Sequence, residues 1–181
     1  MEAVIRQKPR ACSSALMDTY YTSEFTYNEY PHKSFWSPGF TEQDLKMAYG
    51  ALKSSTEDVS QLLFLNIPFC KKQCLFCICH TVITQDYPRV QQYLRALGKE
   101  IDLFRTHCDA HAIPPDIREV HIGGGSPTLL TEQDFGCLVE RIHSIAPAHD
   151  LAKVSLEVDP RGVTPEKLEF YAAQGVNRLS F

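Results

Sequence analysis

The sequence has no block of lysine and arginine residues. It carries 18 Lys and Arg against 22 Asp and Glu, for a formal net charge of −4, and the two signs are interspersed along its 181 residues. A nucleic-acid-binding surface is normally marked by a basic patch or stripe that follows the phosphate backbone. We therefore expect no nucleic-acid partner.

Long apolar segments are also missing. The amino-terminal segment MEAVIRQKPRACSSALMDTYY contains no apolar run of the kind that forms the centre of a secretory signal. No run in the chain approaches the roughly 20 apolar residues that a bilayer-spanning helix needs. We expect no membrane span and a cytoplasmic location. Arg6 and Arg10 weakly suggest a transit peptide, but Glu2 argues against one.

The sequence does have seven cysteines. Because cytosolic reductants keep thiols free, a cluster of cysteines in such a chain indicates metal binding rather than disulfides. Cys12, Cys108 and Cys137 stand alone, and we interpret each as a small buried hydrophobic residue. The other four form a cluster within the stretch IPFCKKQCLFCICH: Cys70, Cys74, Cys77 and Cys79.

The chain divides by pattern into two regions. Residues 1–60 are predicted to form an irregular, aromatic-rich arm followed by a helix, which Thr41 and Asp44 open as a capping pair. Residues 61–181 alternate between strand and helix patterns. Predicted strands are 62–68, buried on both faces, then 119–122, 154–158 and a fourth from 177; predicted helices follow at 86–104, 131–144 and 164–175.

Three strand–helix units in succession predict a parallel sheet covered by helices, either a doubly wound sheet or a β/α barrel. Parallel sheets are normally covered on both faces, and exposed sheet edges are normally protected. A last strand that ends at residue 181 would leave its edge uncovered. We therefore expect the chain to be truncated.

Three unusual segments follow the predicted strands. The cysteine loop 70–79 follows the first strand, GGGSPT (123–128) follows the second, and EVDPR (157–161) ends the third. Ligands of such architectures gather where loops leave the carboxyl ends of the strands. We therefore predict one site built from all three segments.

The cysteine spacing favours an iron–sulfur cluster. A cubane cluster can take three thiolates from one tight loop, whereas zinc sites usually draw ligand pairs from separate knuckles. Three thiolates leave one iron open to a small ligand. Cys79 is then a surplus thiol, which either completes a four-thiolate cluster or lies beside it. A structural zinc site, with the glycine loop as a simple turn, is the alternative.

The other two segments supply groups that can contact a ligand. Glycines let the backbone approach a ligand closely, while Pro127 removes a donor from the loop and so disfavours phosphate binding. Glu157 can accept hydrogen bonds from a ribose or an ammonium group, or it is simply salt-bridged or solvated. Asp159 and Pro160 indicate a turn in which Arg161 pairs with the aspartate.

The segments IPFCKKQCLFCICH, GGGSPT, LEVDPR and GVNRLSF, in this order and spacing, resemble the radical S-adenosylmethionine (SAM) superfamily. Within it, they resemble the oxygen-independent coproporphyrinogen III oxidase group over about residues 62–181. The resemblance implies an α/β fold, a partial (β/α)6 barrel of which only about the first four strands are present. It also implies a [4Fe-4S] cluster on Cys70, Cys74 and Cys77, with SAM bound to the open iron.

The resemblance also implies roles for single residues. Phe76 packs on the adenine and Glu157 contacts the ribose, while the methionine amino group binds the segment Gly123, Gly124, Gly125 and Ser126. The cofactor contacts also include Phe64, which replaces the tyrosine of the group's Tyr-x-His-Ile-Pro-Phe-Cys motif. Asn66, at the histidine of that motif, and Cys79 are the candidate catalytic residues.

The implied reaction is oxidative decarboxylation of porphyrinogen propionates, with a one-electron donor protein as partner. Asn66 cannot titrate, so any acid–base role of the motif's histidine is lost, and His80 is a candidate replacement. Two alternatives remain open. One is a related radical SAM enzyme that modifies porphyrin or haem, or a methyltransferase. The other is a non-catalytic haem-binding or trafficking relative, against which Cys79 argues.

Overall fold

The computed structural model describes residues 37–54, 60–113 and 115–181. The chain divides into two units, Met1–Leu45 and Lys46–Phe181. The predicted arm and Cys12 lie outside the described residues, apart from the arm's last positions. The predicted domain boundary at residue 60 stays a prediction.

Apart from the first helix, which begins at Glu42 in the first unit, the described helices and strands lie in the second unit. The first elements are α1 (Glu42–Ser54), β1 (Gln61–Ile67), the short strands β2 (Phe69–Cys70) and β3 (Val82–Ile83), and α2 (Tyr87–His111). The later elements are β4 (Ile117–Gly124), α3 (Glu132–His143), β5 (Lys153–Glu157), α4 (Pro165–Ala173) and β6 (Arg178–Ser180). None of the described helices is long and apolar enough to cross a membrane.

The main sheet contains four strands in the order β1-β4-β5-β6, and each neighbouring pair is parallel. A helix connects each strand to the next, which is the crossover that a parallel pair requires. The predicted parallel α/β architecture is therefore confirmed. Strands β2 and β3 form a separate two-stranded parallel pair next to the cysteine loop.

Side-chain caps fix where the helices begin. The Thr41 hydroxyl accepts a hydrogen bond from the Asp44 N–H, and the Asp44 carboxylate accepts one from the Thr41 N–H, as predicted. Thr131 and Thr164 cap α3 and α4 through their hydroxyl oxygens. Helix α2 runs to His111, seven residues beyond the predicted end at residue 104. Pro114, three residues beyond His111, is a stop signal that the sequence offers, but the prediction ended at Phe104, the last apolar residue of the helical spacing.

One face of the sheet packs against the helices and forms the core. The core side chains from the strands include Leu65, Ile67, Val120, Ile122, Val154 and Leu156. The prediction that β1 is buried on both faces was wrong, because Leu62 and Phe64 are 56% and 54% exposed. These two residues lie on the opposite face of the sheet, where their side chains are accessible.

We call this opposite surface the open face. By strand alternation and register it carries three rows of side chains that run across the sheet. The rows are Leu62, Glu119 and Lys153; then Phe64, His121, Ser155 and Arg178; then Asn66, Gly123, Glu157 and Ser180. The third row is nearest the carboxyl ends of the strands.

Two of the isolated cysteines lie in the described part of the chain. Cys108 is buried, as predicted, but Cys137 is exposed. The interpretation of Cys137 as a buried hydrophobic residue was therefore wrong. Its position on the outer side of α3 is not visible from its isolation in the sequence.

Candidate functional site

The cysteine loop is closed at its base by the β2–β3 pair. The Val82 N–H donates to the Pro68 carbonyl at 2.7 Å, and the Thr84 N–H donates to the Cys70 carbonyl at 2.9 Å. Because these bonds hold both ends of residues 70–84 together, the cysteines between them are confined to one compact loop. Cys70 is 8% exposed, Cys74 and Cys77 are partly buried, and Cys79 is exposed.

A cavity of about 290 Å³ lies between this loop and the carboxyl ends of the strands. It brings together most of the residues that the sequence singled out. Its lining includes Cys70, Cys74, Phe76, Cys77, Cys79, Gly124, Gly125, Ser126 and Glu157. The three segments predicted to share one site therefore do so. Phe76 is 86% exposed, which leaves its ring free to cover a ligand.

The glycine loop packs directly on β2. The N–H groups of Gly125 and Ser126 donate to the carbonyls of Ile67 and Phe69, at 2.9 and 2.8 Å. A Cβ atom on Gly125 would lie 2.7 Å from the Phe69 oxygen and 3.0 Å from the Cys70 sulfur. Only glycine permits this approach, and the loop is thereby held against the first cysteine.

Gly124 has a different requirement. Its φ of +108° lies in a region that other residues rarely adopt, and an added Cβ would overlap the Asn66 side-chain oxygen. This conformation aims the Gly124 N–H at the Glu157 carboxylate, with a distance of 2.9 Å to Oε2. The carboxylate is thereby fixed at the rim of the cavity.

Glu157 has a second partner that the sequence reasoning missed. Its Oε1 lies 3.1 Å from Nε2 of His121, which is on the neighbouring strand β4. A signal was present, because His121 precedes Gly123 by two residues and strand alternation puts both on one face. Its partner on β5 was not readable from the sequence.

Phe64 and Asn66 lie on the open face, outside the lining of this cavity as the described residues define it. The Phe64 ring stacks on His121 with centroids 5.4 Å apart and an interplanar angle of 12°. The Asn66 carbonyl accepts a hydrogen bond of 2.5 Å from the Tyr93 hydroxyl. Whether either residue contacts a cofactor stays a prediction.

Arg161 pairs with Asp159, as the sequence suggested. Its Nε and Nη2 donate to the carboxylate, each at 2.8 Å. These hydrogen bonds lower the pKa of Asp159, and the carboxylate in turn raises the pKa of Arg161. Nη2 also lies 3.5 Å from the Cys74 sulfur and from the Lys72 carbonyl. The pair therefore connects the third segment to the cysteine loop.

We expect Asp159→Asn to lower the melting temperature near neutral pH but not in strong acid. Because the folded-state pKa is depressed, the carboxylate stabilises the fold above its usual pKa of about 3.9, and this stability is lost as the pH falls through the folded-state value. The pair is partly exposed, so the expected difference is only about 2 °C. Thermal unfolding at about pH 7 and about pH 2 measures it. An equal difference at both pH values would contradict the assignment.

The four thiols of the loop line one cavity. Among the residues that the structure describes, no three Cys, His, Asp or Glu side chains converge as the ligands of a single metal ion do. A tetrahedral zinc site requires such convergence. A cubane cluster places each thiolate on a different iron, and thiolates are its usual ligands. The thiols of this loop therefore match the ligand chemistry of a cluster.

Comparison with known proteins gives the family. Residues 67–181 match the radical SAM superfamily. The chain belongs to the radical SAM superfamily. Its fold also matches a solved radical SAM enzyme, the coproporphyrinogen III oxidase of Escherichia coli, with a TM-score of 0.70 and 31% identity over 91% of this chain and 35% of that one. The four parallel strands are thus part of a radical SAM barrel, as predicted.

Several curated relatives of this radical SAM chain carry one name. The oxygen-independent coproporphyrinogen III oxidases of Synechocystis sp. and E. coli are 31% and 32% identical over 93% and 92% of this chain. A heme chaperone of Bacillus subtilis is 35% identical over 65% of this chain. The matched part is 30% of the chaperone's length. The chain spans about a third of the length of these oxidases, 35% in each case.

Radical SAM enzymes use a [4Fe-4S] cluster and SAM, so membership confirms the two predicted cofactors at the level of the family. The described residues fit both groups, since three thiols of one loop face a cavity whose far wall is the glycine loop and Glu157. Which residue contacts which part of a cofactor stays a prediction and belongs to the proposal below.

Proposed function

We propose that this chain is the cofactor-binding part of a cytoplasmic enzyme that decarboxylates the propionates of a porphyrinogen oxidatively, in haem or porphyrin synthesis. The observation that carries the proposal is the cavity between Cys70, Cys74 and Cys77 on one side and Gly124, Gly125 and Glu157 on the other. The names of the relatives that match over most of the chain support the substrate class.

In this proposal Cys70, Cys74 and Cys77 hold the cluster, and a one-electron donor protein reduces it. The Ser126 hydroxyl donates to the Cys70 sulfur at 3.5 Å, and Arg161 reaches the Cys74 sulfur at the same distance. Hydrogen bonds to cluster sulfurs stabilise the negative charge that reduction adds. Ser126 and Arg161 therefore set how readily the electron is accepted.

The cavity beside the three thiols would hold SAM. Phe76 covers the adenine, Glu157 accepts hydrogen bonds from the ribose, and the loop of Gly123, Gly124, Gly125 and Ser126 receives the methionine amino group. When bound and reduced, the two cofactors would supply a 5'-deoxyadenosyl radical that removes hydrogen from the substrate. This chain's own part is to hold Glu157 in place, through the Gly124 N–H and His121.

A haem-trafficking relative is the second candidate. The B. subtilis heme chaperone is 35% identical over its shorter match. Phe64 and Asn66 also replace the tyrosine and histidine of the oxidase motif. Both replacements remove a titratable group from the open face. A protein that does not decarboxylate a substrate would tolerate this loss.

Anaerobic reconstitution of the full 181-residue chain tests the two candidates. The chain is loaded with iron and sulfide, then given SAM, a strong reductant and coproporphyrinogen III. We expect formation of 5'-deoxyadenosine that the porphyrinogen accelerates, together with release of carbon dioxide. Stoichiometric haem binding without either product would contradict the proposal and favour the trafficking function.

A further inference from the structure

The cysteine loop has two sides, and only one of them lines the cofactor cavity. Phe76 and Ile78 are among the loop residues that line it. Lys71, Lys72 and Leu75 lie on the same loop but outside the cavity lining, as the described residues define it, and all three are exposed. We call these three residues the outer surface of the loop. Nothing in the cofactor site uses them.

The outer surface carries two cations. The ammonium groups of Lys71 and Lys72 make no ion pair or hydrogen bond with any residue that the structure describes. Arg161 lies beside them, with Nη2 3.5 Å from the Lys72 carbonyl oxygen, but Asp159 neutralises its charge. The formal net charge of the whole chain is −4. The outer surface is therefore a locally positive region on a chain of negative net charge.

Apolar side chains accompany these charges. The Cys77 N–H donates to the Cys74 carbonyl at 3.2 Å, so Leu75 lies at the corner of a tight turn between two cysteines. Leu75, Phe76 and Ile78 are all at least 80% exposed. One exposed leucine is common on protein surfaces, but three exposed apolar side chains on one loop form a patch that is typical of a contact surface.

The outer surface adjoins the proposed cluster ligands. Lys71 and Lys72 directly follow Cys70. Leu75 directly follows Cys74. Consecutive Cα atoms are 3.8 Å apart, so each Cα of the outer surface lies within about 7.6 Å of the Cα of a ligand cysteine. A protein that touches this surface is close enough to the cluster position to exchange an electron with it.

We propose that Lys71, Lys72 and Leu75 form the docking surface for an acidic one-electron carrier protein. This inference rests on the proposed function, in which a donor protein reduces the cluster. One electron leaves the carrier, which is oxidised, and enters the cluster, which is reduced; no proton moves and no bond forms or breaks. Complementary charge speeds the encounter of the two proteins, and a small interface lets the oxidised carrier leave.

Titration of the reconstituted full chain with oxidised flavodoxin, an acidic carrier of FMN, measures docking without catalysis. The double variant Lys71→Gln/Lys72→Gln should bind about tenfold more weakly than the wild type, because each exposed charge contributes modestly to the affinity. Arg95→Gln/Lys99→Gln is the matched control. It removes two exposed cations from α2, which is the same change in net charge, and should bind as the wild type does.

The salt dependence of binding tests whether charge carries the contact. Raising the salt concentration from about 50 mM to about 300 mM should weaken binding by the wild type, because salt screens exposed charges. The lysine double variant should lose less affinity over the same range, since two of the charges are gone. The control double variant should follow the wild type.

Leu75→Ala tests the apolar part of the surface. Flavodoxin binding should weaken by about threefold, because the apolar area that the carrier covers becomes smaller. The melting temperature of the free chain should not change, since the Leu75 side chain is fully exposed. A leucine that serves only the fold would give the opposite pair of results.

The rate of 5'-deoxyadenosine formation gives a further readout. With reduced flavodoxin below its dissociation constant, the lysine double variant should form product about tenfold more slowly than the wild type. With the methyl viologen radical cation, a small donor that needs no basic surface, the two proteins should be equal. Their iron and sulfide contents should also be equal, which places the defect in docking rather than in the cluster.

Equal flavodoxin affinity of the two double variants would overturn the docking surface, and so would binding that does not depend on salt. Self-association that is lost in the lysine variant, with flavodoxin binding unchanged, would assign the surface to a second copy of the chain instead. The proposed function fails separately. Lysine-dependent flavodoxin binding without deoxyadenosine from either donor would keep the surface and reject the radical chemistry. Deoxyadenosine with methyl viologen, but lysine-independent flavodoxin binding, would do the reverse.

Discussion

Replacing Cys70 with alanine should reduce 5'-deoxyadenosine formation by the anaerobically reconstituted chain to below about 1% of the wild-type level. Groups that only support a metal ligand contribute about 10-fold to 100-fold to affinity or activity, so loss of a ligand exceeds that range. Cys70 is also the least exposed of the loop thiols and sits against Gly125 and Ser126. Chromatography of the product and iron and sulfide analysis measure the effect.

Cys137→Ala is the matched control, since Cys137 is an exposed cysteine on α3 outside the cavity lining. It should retain the cluster and the product at wild-type levels. Cys70→Ser keeps the size of the side chain and guards against a packing defect. Wild-type product from either Cys70 variant would mean that Cys70 does not hold the cluster. Bound zinc without iron or sulfide in the wild type would contradict the cluster itself.

Gly125→Ala should combine a loss of stability with a loss of SAM cleavage. The new Cβ would lie 2.7 Å from the Phe69 carbonyl oxygen and 3.0 Å from the Ile67 oxygen and the Cys70 sulfur. Two of these atoms are backbone atoms of strand β1 and strand β2, which cannot rotate away. Overpacking of this kind costs about 1–3 kcal/mol in the free energy of unfolding. The same displacement moves the glycine loop away from the cluster loop.

Gly50→Ala provides a control of opposite sign. Gly50 lies in α1, and a Cβ there would meet nothing within 4 Å. Alanine in a helix interior is more favourable than glycine by about 0.5–1 kcal/mol, so this variant should be slightly more stable and should cleave SAM as the wild type does. Denaturant unfolding measures the stability of both variants, and chromatography of 5'-deoxyadenosine measures their SAM cleavage. A Gly125→Ala chain as stable as Gly50→Ala would contradict the tight packing of the glycine loop.

Much of the fold was predictable because local signals agreed with one another. Thr41, Thr131 and Thr164 mark three helix starts, and each caps its helix in the structure. The apolar runs predicted the four strands of the main sheet in the correct order along the chain, but not the short strands β2 and β3. The placement of three unusual segments at strand ends predicted one shared site, and they do line one cavity.

Other predictions were wrong where burial depends on what covers a surface. Strand β1 was expected to be buried on both faces, yet Leu62 and Phe64 are more than half exposed. Their apolar character does not say whether a second layer exists. Cys137 was expected to be buried because it is apolar and isolated, but it lies on the outer side of α3. The end of α2 was missed because the prediction stopped at Phe104, the last apolar residue of the helical spacing, although Pro114 marks the end further on.

The sequence by itself determined the order of strands and helices, the cysteine spacing that favours a cluster, and the gathering of three loops at one end of the sheet. These features follow from short segments, in which hydrophobic period, caps and turn residues act locally. Only the tertiary structure decided that His121 holds Glu157 and that Ser155 lies between His121 and Arg178. Such pairs join residues of different strands, and the register that joins them is set by packing of the whole sheet.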